Sequence, residues 1–200
     1  MPCPCRARAL ILLTLVHGPV VLSAQEVPAV EGMSENRRLE CKEVAVRIGR
    51  EAMKGSEAVF SSVDLTMNEV CSRAWAVGAV QDLVDSLEAT RGIRQGLLNQ
   101  VLEAGNRLMR SFNERGQDAI FPRDDIEFLQ TFLVAIAAVD CLAASKDTVR
   151  TAGVSLEILS SCVDAAARVL TEFNQRGKDA RFNWSDQQAL KRMQEALHER

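Results

Sequence analysis

Lys54-Gly55-Ser56-Glu57-Ala58-Val59-Phe60, Arg115-Gly116-Gln117-Asp118-Ala119-Ile120-Phe121 and Arg176-Gly177-Lys178-Asp179-Ala180-Arg181-Phe182 are three versions of one heptapeptide, spaced 61 residues apart. An aspartate follows each at the same distance: Asp64, Asp125 and Asp186. A fixed internal period marks a repeat architecture, in which each copy is one supersecondary unit stacked on its neighbours. Working outward, apolar residues recur at helical rather than alternating spacing. Ile93, Leu97, Leu98, Val101, Leu102, Leu108, Met109 and Phe112 form one stripe. Val154, Ile158, Leu159, Cys162, Val163, Val169, Leu170 and Phe173 repeat it 61 residues on. After the loops, Cys71, Ala74 and Trp75 correspond to Phe132, Ala135 and Ile136, then to Met193, Ala196 and Leu197.

The pattern predicts an all-α chain of three tandem α-hairpins, each helix, patterned loop, helix. Six helices are expected at 35–54, 64–89, 92–115, 124–145, 148–176 and 185–198, closed as a bundle or stacked as a short solenoid. The hairpins would span about 35–89, 92–145 and 148–198. In each loop the basic residue stands in the last helical turn, where a cation meets the negative end of the helix dipole. The glycine behind it suits the left-handed conformation that ends many helices. Asp64, Asp125 and Asp186, or Asp124 and Ser185, are expected as N-caps of the returning helix. Asp124-x-x-Glu127 and Ser185-x-x-Gln188 have capping-box spacing or close to it.

Cysteine placement supports the hairpins independently. Cys41 and Cys71 lie symmetrically about the Gly55-Ser56 turn, and Cys141 and Cys162 about a turn near Ala152-Gly153. An antiparallel return brings each pair level. Each bridge closes a loop of a few tens of residues and stabilises by roughly 3 kcal/mol in the chain-entropy account. Zinc is the rival reading, but there is no C-x-x-C spacing. His198 is the single histidine beyond the leader described next.

Arg6 and Arg8, the apolar run Ala9–Val16 and the small residues Ser23-Ala24 read as a secretory signal peptide, 1–24, with Gln25 the new N-terminus. That run is too short to span a bilayer of about 30 Å. No other segment reads as long and apolar enough to cross a membrane, so no stable anchor is expected after cleavage. Residues 25–34 read as a flexible lead-in, and 35–200 as the helical repeat domain. About 176 residues are enough for one compact domain. Removal of the two leader arginines lowers the formal charge of −3 by two, and this acidity argues against nucleic acid. Four cysteines behind an export signal fit an oxidising compartment. We therefore expect a periplasmic or secreted protein from a bacterial host.

The chemistry-bearing patterns are sparse. The chain has no Tyr, no H-E-x-x-H, no G-x-S-x-G and no phosphate-cradling glycine loop. Neither catalytic residues nor a cofactor or metal are assigned. The acidic clusters lack the alternating oxygen ligands and central glycine of an EF-hand. Asn183-Trp184-Ser185 is formally a glycosylation sequon, weighed against a capping role for Ser185. Binding is the expected function, with another protein as partner, plausibly through inhibitor or immunity-type occupation of a hydrolase or toxin. The loop end supplies the candidate contacts: Arg115, Asp118, Phe121, Arg176, Asp179, Phe182 and Trp184. Asn113-x-Arg115 and Asn174-x-Arg176 occur only in the last two copies, which marks those two loops for function. A small-ligand carrier with an apolar pocket between hairpins is an alternative. A carboxylate-dependent hydrolase of the cell envelope is another. Non-reducing peptide mapping of the exported protein should recover Cys41 with Cys71 and Cys141 with Cys162; any other pairing would break the hairpin register.

Overall fold

The computed structural model describes residues 30–85 and 91–199; the expected signal peptide 1–24, most of the expected lead-in and the expected end of the second helix lie outside them. Every regular element among the described residues is helical. In chain order these are α1 (Glu35–Ala52), α2 (Ser62–Asp85), α3 (Gln95–Arg115), α4 (Arg123–Ser145), α5 (Thr148–Thr151), α6 (Leu156–Arg176) and α7 (Trp184–His198). A three-residue 3-10 turn follows each of α1, α3 and α6: Gly55–Glu57, Gly116–Asp118 and Gly177–Asp179.

One expected helix is divided. The segment 148–176 contains the single turn α5, a break, and then α6. Asp147 caps α5 by accepting from the Val149 and Arg150 N–H groups, and Ser155 caps α6 by accepting from the Ile158 N–H. Gly153 between them has φ 84°. Two complete caps and a left-handed glycine within nine residues overrule the apolar periodicity. The third helix likewise starts at Gln95 rather than 92, because Gly92 has φ 91°.

The chain divides into two compact units. The first comprises residues up to Asp82 with Glu103–Asp125, the second Leu83–Leu102 with Ile126 onward. In the first, Cys41, Val44 and Ile48 of α1, Val70, Cys71, Ala74 and Val77 of α2, and Leu108 and Phe112 of α3 are buried. The Cys41–Cys71 disulfide ties α1 to α2 with 5.8 Å between Cα atoms. Val30–Ser34, the described part of the expected lead-in, lies against α2 and α3. The Val30 side chain sits directly on α2 at Gly78, where an added Cβ would stand 1.7 Å from Val30 Cγ1.

In the second unit α4 is the central helix, with Phe128, Leu129, Phe132, Ala135, Ile136 and Val139 all buried. Phe173 of α6 meets the rings of Phe128 and Phe132, both at 6.2 Å between centroids. The Cys141–Cys162 disulfide joins α4 to α6, Cα atoms 6.3 Å apart. Contrary to the sequence expectation, α4 is long and apolar enough to cross a membrane, yet more than half of that stretch is buried inside the protein. Its apolarity is that of a core helix packed on several sides.

The loop glycines differ in surroundings although they share a conformation, with φ 65° at Gly55, 58° at Gly116 and 57° at Gly177. A Cβ on Gly116 would meet Arg37 Nη1 of α1 at 2.5 Å, and one on Gly177 would meet Leu97 Cδ2 of α3 at 2.8 Å. A Cβ on Gly55 would meet nothing within 4 Å. Alanine at all three should cost about 1 kcal/mol for the left-handed backbone. Gly116→Ala and Gly177→Ala should cost about 1 kcal/mol more through overpacking. Urea unfolding of the three variants tests this, and equal losses would mean that the close approach contributes nothing.

Candidate functional site

Each patterned loop is built the same way. The carbonyl of the glycine that opens each 3-10 turn accepts from the alanine just after the turn: Ala58 N–H to Gly55 O at 3.1 Å, Ala119 to Gly116 at 3.1 Å and Ala180 to Gly177 at 3.2 Å. The next N–H reaches back to a side chain on the preceding helix. Val59 donates to Glu51 Oε1, Ile120 to Ser111 Oγ and Arg181 to Glu172 Oε1. The sequence showed the conserved spacing within the loop but not these acceptors, because Glu, Ser and Glu share only the ability to accept a hydrogen bond.

The three aspartates are not N-caps. Each stands at the third position of its helix, and in α7 the cap is Asn183, which accepts from the Ser185 N–H at 3.2 Å. The aspartates instead receive an arginine from the helix before the loop: Arg47 to Asp64 at 2.8 Å, Arg107 to Asp125 at 2.6 Å and Arg168 to Asp186 at 2.7 Å. All three arginines approach through both Nε and Nη2. Their hydrogen bonds to the aspartates hold the three guanidiniums above the usual arginine pKa. A carboxylate in the first turn also faces the positive end of the helix dipole, so one residue serves two electrostatic partners.

The arginines expose an irregularity in the repeat. Arg47 and Arg107 are 60 residues apart, whereas Arg107 and Arg168 are 61 apart. The first copy therefore lacks one residue between its arginine and its loop glycine, and α1 ends earlier than α3 and α6 relative to that arginine. Counted from the arginine, Met53 occupies the place of Asn113 and Asn174.

Those two asparagines, singled out by sequence as marks of functional loops, are structural clasps. In the first unit Asn113 Nδ2 donates to the Gly32 carbonyl at 2.7 Å and Oδ1 accepts from the Ser34 N–H at 2.9 Å. In the second, Asn174 does the same to Gly92 at 2.6 Å and to the Arg94 N–H at 3.0 Å. The amide thereby fastens the entry to an earlier helix, a role its chain position alone does not reveal.

The candidate contacts separate by unit. In the first, Arg115 and Asp118 line an open groove of about 370 Å³ with Arg37, Glu40 and Glu43 of α1 and Val63 and Met67 of α2. Arg37, Glu40 and Glu43 were missed by sequence; as charges on an amphipathic helix they look like any solvated face. Phe121 is half-buried. In the second, Phe182 is half-buried in a shallow recess of about 510 Å³ beside Arg168, Glu172 and Arg181. Arg176 bonds to Glu172 at 3.2 Å, Asp179 is exposed, and Trp184 is 71% exposed at the start of α7. The tryptophan does not pack on its own hairpin end. His198 lies exposed with Nδ1 near the Gln194 carbonyl at 2.8 Å.

No protein-family model, curated protein or solved structure matches this chain. The clasp account makes a direct prediction. Asn113→Ala and Asn174→Ala should each lose about 1–3 kcal/mol in chemical denaturation, the cost of two hydrogen bonds and their partners. Loss of a binding activity with full stability would return these residues to the functional list.

Proposed function

We propose that this chain is an exported module of three tandem α-hairpins that binds another protein through the loops following α3 and α6. The carrying observation is Trp184, a large aromatic side chain 71% exposed at the first position of α7. Burying such a ring against a partner removes much apolar area from water, and tryptophan is enriched among residues that dominate interface energies. Arg115 supports the same reading, since it has no ion-pair partner among the described residues and opens onto the groove with Asp118. Charged groups left available at a contact surface supply orientation and association rate.

Export is supported by two disulfides, which persist in oxidising surroundings. Tandem stacking is supported by the recurring loop geometry and by the two asparagine clasps, each linking one copy to the next. Such stacks present extended surfaces from rigid elements, with variable residues in loops. The inhibitor or immunity-type role is the specific form of this proposal.

The test is affinity capture from periplasmic and secreted extract. One bait is the disulfide-intact protein, and its match carries Arg115→Glu, Arg176→Glu and Trp184→Ala with unchanged helicity. A single protein should bind the first with defined stoichiometry and the second at least tenfold more weakly, as expected for loss of a hot spot. Equal retention by both baits would place the site on the helix faces and defeat the loop assignment.

A further inference from the structure

Three glycines with positive φ precede the long helices: Gly32 (78°) before α1, Gly92 (91°) before α3 and Gly153 (84°) before α6. Each stands fifteen residues ahead of the arginine that pairs with a loop aspartate. They mark one structural position, and at two of the three it is occupied. Asn113 clasps the Gly32 carbonyl and the Ser34 N–H, and Asn174 clasps those of Gly92 and Arg94. The matching groups at α6, the Gly153 carbonyl and the Ser155 N–H, meet no side chain among the described residues.

The adjacent helix flank is buried at α3 and only partly buried at α1 and α6. Gly116 lies against Arg37 of α1 and Gly177 against Leu97 of α3. Their counterpart on α6 is Ile158, which is only partly buried, as are Val154 and Leu159. Ile93, Leu97 and Leu98, at the corresponding places of α3, are buried, whereas Met33, Arg37 and Arg38 of α1 are partly buried. The α6 entry thus shares the left-handed glycine of the two clasped entries, but no clasp or loop glycine covers it among the described residues.

The same chain carries an unused copy of the covering element. Gly55 has the conformation of Gly116 and Gly177 but packs on nothing. Met53, in the helix register of Asn113 and Asn174, is 89% exposed, and Val59 is 79% exposed. We propose that the Gly55 loop of one molecule docks on the α6 entry of a second copy, head to tail. The charges fit: Arg115, just before its loop glycine, shares a groove with Glu43, and Lys54, just before Gly55, would meet Asp164, which stands four residues before Arg168 as Glu43 does before Arg47. Met53 supplies apolar contact but no carboxamide, so the association is weaker than the clasped contacts within the chain. Because the two faces differ, the contact is heterologous and extends beyond a dimer unless it closes as a ring.

Sedimentation equilibrium of the disulfide-intact mature chain across a concentration series tests this. The mean mass should rise above the monomer for the wild type. Met53→Glu and Ile158→Glu should each remain monomeric, and an equimolar mixture of the two should form a dimer and no larger species. Asp164→Lys, an exposed change on the same face, repeats the second arm if Ile158→Glu disturbs helicity. Met53→Asn, which restores the carboxamide, should tighten association about tenfold, the gain expected of two added hydrogen bonds. A wild type monomeric at every concentration, or association unaffected by the glutamate variants, overturns the proposal. Unchanged affinity of Met53→Asn overturns the correspondence between the α6 entry and the two clasped ones.

Discussion

The left-handed glycine pressed against an earlier helix is the constraint on which the structure depends. At Gly116 and Gly177 the chain must end a helix, enter a 3-10 turn and pass within van der Waals reach of Arg37 or Leu97. A side chain there would fail twice, through positive φ and through overlap. Close approach places Asn113 and Asn174 within hydrogen-bond reach of the preceding helix entry, satisfying backbone groups that the helix itself leaves open. The arginine–aspartate pair then ties the first turn of the next helix to the helix before the loop. Turn, clasp and ion pair each use a different part of one short segment.

That arrangement also explains how the chain divides. α3 gives Gln95–Leu102 to one unit and Glu103–Arg115 to the other. Its early residues carry Leu97, which meets Gly177, while its late residues carry Asn113 and lead to Gly116, which meets Arg37. One helix thus serves successive neighbours with successive turns, as expected when a supersecondary unit cannot bury its apolar surface alone. Stability is then distributed among adjoining elements, with the two disulfides each confined to one unit.

The ion pairs are weighted toward geometry rather than energy. The arginines are about half exposed or more, whereas Asp125 and Asp186 are largely covered. Solvent screening limits what such a pair contributes to folding. A two-nitrogen approach from arginine nevertheless fixes orientation better than a point charge would, which is the physical reason for arginine rather than lysine in all three copies.

The residues by themselves determined helical content, the places of the patterned loops, positive φ at their glycines and the level pairing of four cysteines. These are local or symmetric properties: helical periodicity, a missing Cβ and equal distances from a turn are legible along one chain. The jobs of Asp64, Asp125, Asp186, Asn113 and Asn174 were decided by tertiary structure, since each depends on a partner from 17 to 82 residues away. Sequence placed the aspartates near a helix start, where capping is the nearest available use, and could not see an arginine arriving from another helix. It likewise grouped seven candidate contacts by their loop, whereas packing buried part of Phe121 and Phe182 and left Trp184 exposed. Local physics chose the backbone of each loop, and only the neighbours brought by folding chose what its side chains do.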